Sequence, residues 1–105
     1  MARVNTLQYG ASGTLLGAAG TLALVTGFNN SATLRYFQLF DSLAPAPGAV
    51  PVQSFIVRPS ANFSFAPSAQ LAPFGTACTW RVSSTPNTLT AAAENFLVHG
   101  EAQSQ

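Results

Sequence analysis

The feature that most constrains this chain is alternation of apolar and polar residues with a period of two, cut by Pro and Gly. Between Thr76 and Ser84, Cys78, Trp80 and Val82 alternate with Thr79, Arg81 and Ser83. Asn62–Phe65 sets Phe63 and Phe65 against Asn62 and Ser64, and Asn95–Glu101 sets Phe96 and Val98 against Leu97 and His99. Val50–Arg58 places Gln53, Phe55 and Val57 opposite Val52, Ser54 and Ile56, with Pro51 marking a strand start or an edge. Successive side chains of a strand point to opposite faces, so these runs predict half-buried strands. The denser run in Thr33–Asp41, Leu-Arg-Tyr-Phe-Gln-Leu-Phe, predicts a strand covered on both faces.

Turn signals separate these runs. Ser42–Gly48 is a proline/alanine connection, Pro59-Ser60 a tight turn, Pro67–Gly75 a long loop and Pro86-Asn87 a turn. Strands this short, punctuated about every 8–12 residues, belong to an all-β antiparallel sandwich or barrel. The best helical window, Thr90–Phe96, is too short to hold a helix alone and predicts a turn or loop before the last strand. Gly10-Ala-Ser-Gly-Thr-Leu15 recurs as Gly17-Ala-Ala-Gly-Thr-Leu22. The expected meaning is a hairpin with two similar arms; the alternative is a small-residue arm lying flat on a neighbour. The first dozen residues carry no strong pattern and predict an N-terminal arm over 1–12, with a single domain over 13–105.

Charge is scarce. Only seven residues are charged at pH 7 with histidine neutral: Arg3, Arg35, Arg58, Arg81, Asp41, Glu94 and Glu101, which is 7% of 105 residues at a net charge of +1, with no lysine. An ordinary domain carries about 25%. Four scattered arginines make no footprint for nucleic acid, which needs a dense cationic cluster. The apolar run Leu15–Val25 is interrupted by Gly17, Gly20 and Thr21 and falls short of the roughly 20 residues of a membrane span. It also makes a poor signal peptide. A chain that omits surface charge omits a common defence against edge-to-edge association, so association is expected to be its work.

Few groups could support catalysis. A nucleophilic pair would have to be Cys78 with His99, the single cysteine and histidine, but the alternation with Trp80 and Val82 predicts a buried, structural Cys78. Asp41, Glu94 and Glu101 are spread along the chain, so neither zinc nor calcium ligation is expected, and no cofactor is. Trp80 and Tyr36 are expected in the core rather than as a glycan-stacking platform. Asn29-Asn30-Ser31 and Asn62-Phe63-Ser64 match glycosylation sequons, a pattern common by chance.

The segments Tyr36–Asp41 (YFQLFD), Pro51–Val57 (PVQSFIV), Phe63–Phe65 (FSF) and Trp80–Thr90 (WRVSSTPNTLT) resemble, over residues 33–98, small β-rich structural proteins of tailed bacteriophages and prophages. Such proteins serve as head decoration (cement) proteins, head fibres or tail components. The resemblance implies a jelly-roll-like sandwich of about 7–8 strands. It also implies a non-enzymatic capsid decoration protein, made in the bacterial cytoplasm and resident in the virion. Its partners would be the major capsid protein and copies of itself, with a trimer favoured, and not nucleic acid, membrane or a small-molecule substrate. The alternative is a tail or fibre module binding a host-surface glycan or adaptor. Partner contacts are expected from the arm residues Ala2, Arg3, Val4 and Asn5 and from Arg35, Arg58 and Arg81.

Overall fold

The computed structural model describes residues 2–66 and 72–104. The described residues form nine strands and no helix: β1 (Ala2–Gly10), β2 (Ser12–Leu16), β3 (Gly20–Asn29), β4 (Arg35–Phe40), β5 (Gln53–Val57), β6 (Asn62–Phe65), β7 (Ala72–Phe74), β8 (Cys78–Ser83) and β9 (Phe96–Ser104). All pairings are antiparallel and fall into two sheets. The first runs β1-β9-β3-β6, with β7 also on β3; the second runs β2-β8-β4-β5. β6 and β7 share one edge of β3, pairing with Val25–Phe28 and Gly20–Leu22 respectively.

The pairs are nested. β4 with β5 forms the tip, then β3 with β6, β2 with β8, and β1 with β9 outermost. The chain is thus one long antiparallel hairpin rolled up, so that β9 also meets β3 and β8 also meets β4. That is the sheet order of a jelly roll, a sandwich of two Greek keys. The sandwich expected from the alternating runs is present, and β7 adds a ninth strand to the eight of the roll.

The core lies between the sheets and centres on Phe37, whose ring meets Phe63 at 4.4 Å, Trp80 at 5.5 Å and Phe96 at 6.3 Å. Cys78, Trp80 and Val82 of β8 and Phe96 and Val98 of β9 face it, as their alternation requires. Glycine is needed at two close approaches. A β-carbon on Gly27 would strike the ring of Phe63, and one on Gly13 would strike the Trp80 indole and the Gln8 side chain.

Three segments differ from expectation. The repeated Gly/Ala-rich copies do not form a hairpin: β2 pairs with β8 and β3 with β9, so they lie in opposite sheets. The repeat places Leu15 and Leu22 into one core from its two sides, and a register irregularity between Thr14 and Leu16 buries Leu15 and Leu16 together. The first residues lie along β9 as edge strand β1, in register from Ala2↔Ser104 to Gly10↔Phe96. Of the expected loop Pro67–Gly75, residues 67–71 lie outside the described residues, and Ala72–Phe74 pair with β3. The Pro59-Ser60 turn is present, with Ser60 at a φ of 54°.

Candidate functional site: the open face of the first sheet

The outer faces of the two sheets differ. That of the second sheet is roofed over β4 and β8 by the loops that follow those strands, and Ile56 of β5 stays exposed beside them. Gln38, on β4, is fully buried beneath them, and its Nε2 donates to the carbonyls of Thr85 (2.9 Å) and Thr88 (3.2 Å). Thr79 Oγ1 donates to the Ser42 carbonyl at 2.6 Å. The two loops also hold each other, through Gly48 N to Leu89 O and Leu89 N to Ala49 O, both 2.8 Å. Leu89 is buried as a result. Asp41 fastens the strand end from the side: its carboxylate accepts from the amides of Thr76 (2.8 Å), Gly75 (3.0 Å) and Ala77 (3.1 Å). Those three donors hold its carboxyl below the usual range.

No loop among the described residues covers the first sheet's outer face in this way. The register lays out three rows across it: Tyr9–Leu97–Phe28–Asn62, Leu7–His99–Thr26–Ser64, and Asn5–Glu101–Leu24. Leu7 is 73% exposed, Tyr9 58% and Leu97 42%. The Tyr9 hydroxyl accepts from Asn30 Nδ2 at 2.9 Å, which holds the ring at the margin of the face. A depression of about 420 Å³ opens among these rows, lined by Leu7, Thr26, Phe28, Asn62, Ser64, Leu97 and His99. Its ionisable neighbours are His99, in that lining, and Glu101, which approach to 4.0 Å. Other exposed apolar side chains stand on the roof loop (Leu43, Val50) and at β5 (Val52, Ile56).

The residues singled out from sequence are not brought together. Ala2, Arg3, Val4 and Asn5 lie at the start of β1, and the side chains of the first three lie outside what the structure describes. Arg35 is committed inside the fold: its Nε binds Glu94 Oε1 at 2.6 Å, a bond that lowers the Glu94 carboxyl pKa. Arg81 is on the roofed sheet, where Nη1 donates to the Trp80 carbonyl at 2.9 Å and desolvation lowers its pKa. Arg58 is exposed at the β5–β6 turn.

Cys78 is completely buried, and desolvation pushes its thiol up to about 12, with the Asp41 charge adding. His99 stands on the outer face of the other sheet, so the two form no dyad. Trp80 is also fully buried, with its Nε1 donating to Gln8 Oε1 at 2.7 Å, and offers no stacking platform. Asn29, the first sequon asparagine, is sealed as well: its Nδ2 donates to the carbonyls of Thr33 (2.9 Å) and Arg58 (3.2 Å). Among the described residues, no three His, Cys, Asp or Glu side chains gather as a metal site would require. No helix among them is long and apolar enough to cross a membrane. Comparisons with protein-family profiles, curated proteins and solved structures return no significant match.

Proposed function

We propose that the chain is a structural subunit of a bacteriophage virion, a capsid decoration protein that attaches to the head shell through the open face of its first sheet. One observation carries this reading: Leu7, Tyr9 and Leu97 stand exposed side by side there on neighbouring strands, while loops roof β4 and β8 on the opposite face of the sandwich. Single exposed apolar residues need no explanation, but a contiguous group marks an interaction surface. The face asks for a partner of matching character. It carries little charge, and burying charge is costly unless it is paired. The step from "structural subunit" to "virion" rests on the strand texture of residues 33–98 and on the jelly-roll sheet order, an architecture shared by viral capsid and lectin domains.

In this reading the partners are the major capsid protein and other copies of the chain, and no reaction is catalysed. The protein is made in the host cytoplasm and stays in the particle. The test is the protein composition of purified parent virions. Copy numbers comparable with the capsid protein support decoration. Absence from the particle contradicts it, and so does a handful of copies at the tail, which would favour a fibre module.

A further inference from the structure

Among the described residues the two sheets have four edges, and three of the four are blunted. β2 is five residues long and carries a register irregularity between Thr14 and Leu16. β5 is five residues long and bracketed by Pro51 and Pro59. The remaining edge of the first sheet is divided between β6, with four residues, and β7, with three including Pro73. Short strands, bulges and prolines are the devices by which proteins stop edges from pairing with other chains. β1 has none of them. It runs nine residues without proline, keeps unbroken register with β9, and carries no charge beyond Arg3. Among the described residues, no backbone group of β1 bonds to anything but β9 on that side of the sheet.

The geometry points to a second copy of this chain as the occupant of that edge, paired β1 to β1 in antiparallel register around a two-fold axis at Leu7. This rests on the reading of the chain as a structural subunit and names one of its partners. Two identical strands related by a two-fold axis perpendicular to them run antiparallel, and the interface is self-complementary. Centring on Leu7 pairs Val4 with Gly10, Asn5 with Tyr9 and Thr6 with Gln8, and leaves Arg3 outside the ladder. No ionised side chain then faces a like charge, which would oppose pairing.

The open face supports the same register. Leu7 lies beside His99, Tyr9 beside Leu97 and Asn5 beside Glu101. Across the axis, Leu7 meets its own copy, so the most exposed apolar side chain of the face becomes the centre of a continuous double sheet. Each Tyr9 falls beside the other copy's Asn5. The two separate apolar groups merge into one face, which makes a broader surface for a shell. The pairing is two-fold, where the resemblance to phage structural proteins implies a trimer.

The test uses the full-length chain. Sedimentation at increasing concentration is expected to show a dimer. Leu7→Lys places two cations at the axis and is expected to weaken dimerisation on the order of tenfold or more, with an unchanged β-sheet circular dichroism spectrum. Leu7→Cys is expected to give a covalent dimer under mild oxidation, whereas Ile56→Cys at the β5 edge stays monomeric. The native Cys78 does not interfere because it is buried. A wild-type chain that remains monomeric while Leu7→Cys fails to cross-link overturns the inference, as does a dimer that cross-links through Ile56→Cys instead. The two readings fail separately: a chain that decorates shells as a monomer removes the dimer, and a β1-paired dimer absent from virions removes the decoration role.

Discussion

Gln38→Glu probes the roof over the second sheet with almost no change in volume. In the native chain the Gln38 amide group faces carbonyls, those of Thr85 at 2.9 Å and Thr88 at 3.2 Å, so its NH₂ must point towards them. A carboxylate there offers no donor and brings a charge into a site with no solvent exposure. Loss of the donors alone leaves buried acceptors unpaired, at about 1–3 kcal/mol. The charge adds several kcal/mol more unless the new carboxyl takes up a proton. Protonation is the cheaper route, so the folded-state pKa of Glu at this position rises above the unfolded value of about 4.3. Between those two values the native state holds the extra proton, and stability falls by about 1.4 kcal/mol for each pH unit gained.

Urea unfolding of wild type and variant at pH 4.5 and pH 7 checks this. The variant should be less stable at both and should lose further ground at pH 7. Hydrogen exchange of the amides in residues 84–90 should speed up in parallel, because that loop is held by Gln38. A variant within about 0.5 kcal/mol of wild type at both pH values, a change typical of an ordinary surface site, would refute the claim that Gln38 is sealed under the loop.

Asp41→Asn tests the clamp at the end of β4. Its folded-state pKa is depressed by the amides of Thr76, Gly75 and Ala77, so its contribution is present above the unfolded pKa of about 3.9 and is lost as pH falls through the lower folded value. Wild type should therefore lose stability on acidification below about pH 4, and a urea series from pH 2 to pH 6 should show that limb flattened in Asp41→Asn. Phe37→Ala removes the ring at the centre of the aromatic cluster and should cost about 3–5 kcal/mol by urea titration. Cys78 should react with a thiol reagent only as fast as the protein unfolds, because the thiolate is suppressed by burial.

Much of the fold was legible because burial and strand period coincide. β4, β5, β6, β8 and β9 all carry large apolar residues at alternate positions, so period two identified them within a few residues of their ends. β1, β2 and β3 were harder to read. Small or polar residues, Thr6 and Gln8 on β1, Gly13 on β2 and Gly27 on β3, interrupt the apolar alternation around the core residues Leu15, Leu22 and Val25. β7 is three residues of Ala, Pro and Phe, too short for any period to show.

The site was less legible than the fold. The arginines drew attention because charge is rare here, yet Arg35 and Arg81 serve internal bonds. The exposed group Leu7, Tyr9 and Leu97 is assembled by pairing between residues about ninety positions apart, which no local pattern reveals. The buried polar anchors Asn29, Gln38 and Asp41 were hidden for a similar reason. Each satisfies backbone groups of a loop distant in sequence, and only the Gln within the apolar Tyr36–Phe40 run gave any hint.

The proposed contact surface is the open face of the first sheet. Hydroxyl-radical footprinting of the free chain against the chain on its particle tests it most directly. Leu7, Tyr9 and Leu97 should lose reactivity on assembly, while Leu43, Val50 and Ile56 should keep theirs. Protection of Leu43, Val50 and Ile56, with Leu7, Tyr9 and Leu97 still reactive, would contradict the account.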